Sequence, residues 1–204
     1  MLKSTQKNSQ YWRERQIDWN QAYFTPEHPH RDLLIGVLAK KKFGTVLEIG
    51  CAAGANLYRI AKAFPGVQLG GVDVSADAIV AARPHLPPTT HLDVAPAHKI
   101  FLPSQSVDVT LTDMTLIYYG PTMIGKALTE IERLTRTYGV FCEFHHPSFV
   151  KRWGLRAAGY NAYNWRKMLQ KRGWYDITIY KIPEAYWPGG EPQKTFGHII
   201  VCTR

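Results

Sequence analysis

The chain has 204 residues, 45% of them hydrophobic, with three cysteines and a formal net charge of +9. That length and composition suit a single globular domain with an ample core and exclude a disordered or repetitive polypeptide. Cys51, Cys142 and Cys202 are too few and too scattered for a disulfide framework or a zinc pattern, no apolar run approaches a membrane span, and residues 1–10 lack a signal-peptide core, so a cytoplasmic protein is expected.

Residues Ser9–Phe24 carry Tyr11, Trp12, Trp19 and Tyr23, and the two tryptophans, seven apart, share one side of a helix. That face needs cover. It reads either as an amphipathic helix docked by its aromatic stripe, or as a lid in which Tyr11 and Trp12 meet the substrate side of a cationic ligand through contacts of ~0.5–2 kcal/mol. Thr25–Arg31 is a Pro-rich turn, and Asp32–Lys42 a short helix whose last lysines suit its negative end. Residues 1–42 thus form a helical cap or lid, and residues 43–204 the core of one domain.

Thr45–Leu57, TVLEIGCAAGANL, reads as strand, tight turn and helix, with glycines that let the backbone turn sharply and approach a ligand at the carboxyl end of a strand. A dinucleotide site wants G-x-G-x-x-G, whereas Gly50 and Gly54 are four apart with Ala52 between them, which argues against an NAD-dependent oxidoreductase. Glu48 at the strand end is a poor neighbour for phosphate and a good one for positive charge. This E-x-G-x-A-x-G pattern resembles the first motif of class I S-adenosylmethionine-dependent methyltransferases, although that family usually has Gly where Ala52 stands. The resemblance implies an α/β fold: a Rossmann-like three-layer sandwich with a mostly parallel seven-stranded sheet, here with an N-terminal helical extension. It also implies S-adenosyl-L-methionine as cofactor, held by Glu48, Gly50, Cys51, Ala52, Gly54 and Asn56.

Val67–Val74 reads as the second strand, and Asp73 at its end stands where an acid accepts from ribose hydroxyls, about 20 positions beyond the glycine turn. The resemblance adds Val74 against adenine. Ser75 can cap a helix over Ala76–Ala82. Thr89–Val94 is a weak third strand, and by the resemblance Asp93, beside Val94, would accept from the adenine amino group. The fourth strand, Val107–Leu111, exits through Asp113 and Met114, bordering cofactor and acceptor, with Tyr118 and Tyr119 on the substrate side. The N-P-P-Y or D-P-P-Y signature of enzymes that methylate DNA-base amines is missing. Gly50–Ala55 together with Tyr118 and Tyr119 faintly resembles rhizobial nodulation N-methyltransferases, over two short stretches only.

Pro121–Tyr138 is an amphipathic helix ended by Gly139, and Val140–Phe144 a buried strand leading to His145 and His146. The resembling family places acceptor-side groups there, and an imidazole with an ordinary pKa of about 6.5 suits a catalytic base. A histidine that merely bonds a loop carbonyl explains either one equally well. Residues 151–172 hold seven Lys and Arg and no Asp or Glu. They suit a solvated helix face, or a surface of an RNA methyltransferase or an inactive nucleic-acid-binding module, the less favoured reading. A helix at Ala162–Arg172 precedes two antiparallel closing strands, Trp174–Tyr180 and His198–Thr203, joined by the 183–193 loop with Tyr186 and Trp187 facing the acceptor. The expected activity is methyl transfer to oxygen or nitrogen of a small-molecule acceptor, with no metal.

Overall fold

A computed structural model describes residues 5–187 and 190–204. Met1–Ser4, and Pro188 and Gly189 of the 183–193 loop, lie outside the described residues. The chain begins with three helices, α1 (Thr5–Glu14), α2 (Trp19–Tyr23) and α3 (His30–Leu38), and then alternates strand and helix: β1 (Thr45–Ile49), α4 (Ala55–Ala63), β2 (Gln68–Asp73), α5 (Ala76–Ala82), β3 (His91–Val94), β4 (Val107–Asp113), α6 (Pro121–Leu134) and β5 (Thr135–Phe144). It closes with α7 (Phe149–Ala157), α8 (Trp165–Gln170), β6 (Tyr175–Lys181), α9 (Gln193–Phe196) and β7 (Gly197–Thr203).

The strands form one sheet of seven in the order β3-β2-β1-β4-β5-β7-β6. The first five run parallel, and β7 lies antiparallel between β5 and β6; of the two closing strands expected to be antiparallel, only β7 is reversed, and β6 runs with the first five. From β1 the chain moves outward to β2 and β3 and then returns to place β4 on the other side. The order therefore reverses between β1 and β4, which opens a crevice at their carboxyl ends.

Both faces of the sheet are covered because successive side chains alternate. Along β5, Val140 and Cys142 join Val46, Leu57, Ile60 and Ile79 beneath α3, α4 and α5, whereas Phe141 joins Leu47, Ile49, Leu128, Ile131 and Trp165 on the α6 and α8 side. Each fully buried Leu or Ile in these layers contributes about 1.5–3 kcal/mol relative to exposure. All three cysteines are free and buried, as small hydrophobes. Among the described residues no helix is long and apolar enough to cross a membrane.

Several boundaries differ from expectation, α3 among them, which spans His30–Leu38 where Asp32–Lys42 was expected; three others differ for a local reason. The single helix expected over Ser9–Phe24 is two, because the Asp18 carboxylate accepts from the Gln21 N–H at 3.0 Å and starts a new helix at Trp19. The helix expected to reach Tyr138 stops at Leu134. The Thr135 hydroxyl lies 2.6 Å from the Ile131 carbonyl and 2.9 Å from the Thr110 hydroxyl, and the chain pairs at once with β4. Gly139 lies inside β5, where a Cβ would sit 2.6 Å from the Phe141 ring, so it serves packing and not helix termination. In the basic stretch α7 was not foreseen, and the following helix is shorter than expected, capped by Asn164. Two of its arginines are tied inward: Arg152 to the carbonyls of His146 and Pro147, Arg172 to Glu132 at 2.9 Å.

Candidate functional site

A cavity of about 290 Å³ opens at the carboxyl ends of β1, β2 and β4. Its floor is Glu48, Gly50, Cys51, Ala52, Asn56, Asp73 and Val74; Asp113, Met114, Thr115, Tyr118 and Tyr119 form one wall. The roof is Trp12, Trp19, Tyr23, His28, His30, Arg31 and Trp187.

The glycine turn is shaped by two different constraints. Gly50 has φ +78°, and a Cβ there would lie 2.1 Å from the Thr115 hydroxyl, so the end of β4 packs directly on it. Gly54, at φ +79°, precedes α4, and its Cβ would press Leu86 and Ala82 at 3.1 and 3.2 Å; it seats the helix and stays outside the cavity lining. Between them Ala52 holds φ +47°, a left-handed backbone that disfavours a Cβ by roughly 1–2 kcal/mol. Ala52→Gly should therefore raise stability by roughly 0.5–1 kcal/mol, read as a higher urea midpoint; an unchanged or lower midpoint would mean that the methyl group's contacts outweigh the strain.

Asp73 ties this turn to β2, its two carboxylate oxygens accepting from the Ala52 and Ser75 N–H groups at 3.0 Å each. Burial nonetheless pushes its carboxyl above the usual range, against those two amides.

A buried polar chain runs beneath the cavity. Asn56 donates from Nδ2 to Glu48 Oε1 at 2.7 Å and to Asp113 Oδ2 at 3.0 Å. The other oxygen of each acid, Glu48 Oε2 and Asp113 Oδ1, is buried without a hydrogen-bond partner among the described residues. Burial, opposed by the Asn56 bond, raises Glu48 to about 8. Burial acts on Asp113 as well, but the charge and hydrogen bond of His30, then Arg31 and Asn56, hold its carboxyl well below the usual carboxylate range.

The residues that hold Asp113 come from the first turn of α3, with His28 and Thr25 just before it. His30 Nε2 is 2.8 Å from Asp113 Oδ2, and His30 Nδ1 is 2.6 Å from His28 Nδ1. Arg31 donates to the Thr25 carbonyl at 2.8 Å, to the Asn56 side-chain oxygen, and at 3.4 Å to Asp113. Trp187 lies against the His30 ring with centroids 4.3 Å apart. Sequence reasoning took this stretch for a plain turn; its signal was two histidines and an arginine crowded between prolines and an apolar helix. His30, Asp113 and Cys142 also bring donor atoms within 4.8 Å of one another, but the Arg31 guanidinium on the same Asp113 oxygen opposes a cation there.

Glu143 is the other site residue not foreseen. Fully buried at the end of β5, it accepts from the N–H groups of Thr115, Leu116 and Ile117 at 3.1, 2.9 and 3.1 Å, and so fixes the turn that presents Tyr118 and Tyr119. Burial raises it to about 8 against those amides.

Tyr118 meets Trp12 edge-on at 5.2 Å, joining the wall to the roof, and the Tyr119 hydroxyl accepts from the Ala97 N–H at 3.0 Å. Six other expected residues fall elsewhere. Tyr11 is 54% exposed and touches Trp12 from outside the cavity. Asp93 turns back to accept from the Val94 N–H at 2.8 Å, and neither residue lines the cavity. Nor do His145 and His146, which line a separate depression with Arg166, Lys181, Thr195 and His198. Beyond Phe144 the chain turns away, because the His145 N–H bonds the Phe196 carbonyl and His145 bridges to Tyr163. The His145 ring lies 3.1 Å from the Tyr163 carbonyl and is held at about 4 by burial; His146 accepts from the Ser148 N–H. The expectation that either serves the cavity as a base is corrected. Tyr186 also lies outside the lining, while its neighbour Trp187 is part of it.

Comparison with known proteins fits this geometry. Residues 46–139 match the family model described as a methyltransferase domain. Trans-aconitate 2-methyltransferase of Afipia carboxidovorans is 31% identical over 106 residues, which span 52% of this chain and 38% of that relative. The chain thus covers well under half of the curated relative it matches. Magnesium protoporphyrin IX methyltransferase from Synechocystis PCC 6803, solved with bound SAH, superposes with a TM-score of 0.68 at 13% identity, over 98% of this chain and 99% of that one. Geranyl diphosphate C-methyltransferase from Streptomyces coelicolor A3(2), solved with Mg2+, geranyl diphosphate and S-adenosyl-L-homocysteine, gives 0.69 at 14% identity, over 98% and 96%. At such identities these two likenesses concern the fold.

Proposed function

We propose that this chain, a member of the class I methyltransferase family, binds S-adenosyl-L-methionine in the cavity and transfers its methyl group to an oxygen or nitrogen of a small-molecule acceptor. The observation that carries this reading is Glu48, a buried carboxyl group whose Oε2 has no partner among the described residues, at the floor of a cavity between a glycine turn and Asp73. Such an acid repels phosphate and suits the ammonium and sulfonium of this cofactor. Gly50, Cys51, Ala52 and Asn56 shape the bed around it. Asp73 keeps lone pairs for ribose hydroxyls beyond its two amide bonds, with Val74 beside it, and Met114 borders the wall. The cofactor supplies an electrophilic methyl on a sulfonium that leaves as a neutral thioether. The protein's share is orientation and exclusion of water, for which the aromatic roof of Trp12, Trp19 and Tyr23 is suited. The acceptor would meet the methyl near Tyr118, Tyr119 and the roof.

Calorimetry with S-adenosylmethionine, S-adenosylhomocysteine and NAD tests the reading: the first two should bind and NAD should not. A further result is expected from Glu48. In the free protein it is raised to about 8 by burial. A cation placed beside it favours the carboxylate, so the bound state holds fewer protons than the free state. Affinity should therefore rise with pH up to about 8, by at most ~10-fold per pH unit, with proton release near pH 7 visible as a buffer-dependent binding enthalpy. Flat affinity from pH 6 to 8 with no proton release would refute the placement of the cationic ligand against Glu48.

A further inference from the structure

Three side chains, two from the roof of the cavity and Asp113 from its wall, form a directional hydrogen-bonded line. Asp113, held as a carboxylate by Arg31, Asn56 and His30, can only accept, so the His30 nitrogen 2.8 Å away, Nε2, carries the proton. The Nδ1 of a neutral His30 is then a lone pair. The partner of that lone pair at 2.6 Å is His28 Nδ1, which must donate. This assignment leaves the His28 Nε2 lone pair uncommitted on a ring that lines the cavity. The arrangement repeats the logic by which a buried acid orients a histidine base, extended by one ring.

We infer that His28 is the catalytic base of the methyl transfer, with His30 and Asp113 as positioning residues behind it, and that the acceptor is a hydroxyl, phenol or amine that must give up a proton. This inference rests on the methyltransferase reading above. The bonds balance as follows. The acceptor's X–H proton passes to His28 Nε2, the freed electron pair forms the new bond to the methyl carbon, and the carbon–sulfur bond breaks toward sulfur. As Nε2 takes up that proton, the His28 Nδ1 proton moves to His30 Nδ1, so the positive charge rests beside the Asp113 carboxylate. A carboxylate acceptor needs no such device, being ionised already.

The surroundings suit a base that is neutral before reaction. Burial lowers His28 below the usual imidazole range, a proton on His30 or the Arg31 guanidinium lowers it further, and Asp113 acts the other way. The groups that face it are His30 and Arg31 from α3, Asp113 from the end of β4 and the Trp187 ring, 5.5 Å away centroid to centroid. The sequence reading placed the base after β5, where His145 and His146 are turned toward other partners.

Two-bond nitrogen–proton spectra of the histidine rings in the full chain, alone and with S-adenosylhomocysteine, decide the relay. At pH 8 His28 should carry its proton on Nδ1 and His30 on Nε2, and on acidification the two rings should titrate together. In His30→Gln the His28 midpoint should move by one pH unit or more. A His28 proton on Nε2, or two rings with separate midpoints in the wild-type chain, overturns the relay even if the variant does not fold. Labelled S-adenosylmethionine mixed with a deproteinised small-molecule extract gives a second arm. The label should land on an O–H or N–H acceptor about 10²-fold more slowly in His28→Gln. Label on a carboxylic acid, or an unslowed His28→Gln, refutes the base. Failure of the parent reading looks different: no uptake of S-adenosylhomocysteine in calorimetry, whatever the tautomers are.

Discussion

Gly50→Val is expected to abolish S-adenosylmethionine binding and to lower stability by about 2–5 kcal/mol. Two costs combine. A β-branched residue must take φ +78°, which disfavours even an unbranched side chain by roughly 1–2 kcal/mol. Its Cβ must also displace Thr115, whose hydroxyl, Cγ2 and Cβ stand 2.1, 2.6 and 2.9 Å from that point, an overpacking of about 1–3 kcal/mol. Denaturation midpoints and calorimetry measure both losses. Strain and clash separate in a double-mutant cycle of Gly50→Ala with Thr115→Gly. The pair should cost less than the sum of the singles, and strict additivity would clear Thr115 as the obstacle.

Glu143→Ala should cost at least ~3 kcal/mol, because three N–H groups at the start of the Thr115–Tyr119 turn lose their acceptor and each buried, unpaired donor costs about 1–3 kcal/mol. Cofactor affinity should fall with it, since Thr115, Tyr118 and Tyr119 form a cavity wall. The pH dependence adds a signature. Burial raises Glu143 from 4.5 to about 8, so the native chain keeps a proton that the unfolded chain has lost across that window. The group's contribution is complete below about 4.5 and declines as pH rises to about 8; in Glu143→Ala the fall of stability with pH should be shallower. A loss under 1 kcal/mol with an unchanged slope would refute the role given to this carboxylate.

How much of this the sequence reveals depends on chain separation. The strands β1, β4 and β5 were legible because apolar runs such as TVLEI and VFCEF are what a sheet covered on both faces requires. Glu48, Gly50, Ala52 and Asp73 were legible as cavity residues because they sit on the two adjacent turns that end β1 and β2. His28, His30 and Arg31 were not, since they reach the site only when residues 25–31 fold back on Asp113, 83 positions from His30. Nothing local in TPEHPHR specifies that partner. Glu143 was hidden for another reason: an acid in a buried strand is recognisable only from the three amides it meets. His145 and His146 were misplaced because one turn after Phe144 decides which way the chain leaves the sheet, and that turn is set by Tyr163 and Phe196.

The floor and wall of the cavity lie almost wholly within residues 46–139, while its roof is drawn from residues 9–31 and Trp187. Under the proposed function, substitutions at Trp12, Trp19 or Trp187 would change the size and polarity of the enclosed space while Glu48, Gly50 and Asp73 are kept, so that the acceptor could vary over one proposed cofactor bed. Grafting the roof of one such protein onto the floor of another is correspondingly a feasible route to altered selectivity, provided that Arg31 and His30 keep their anchorage on Asp113 and Asn56.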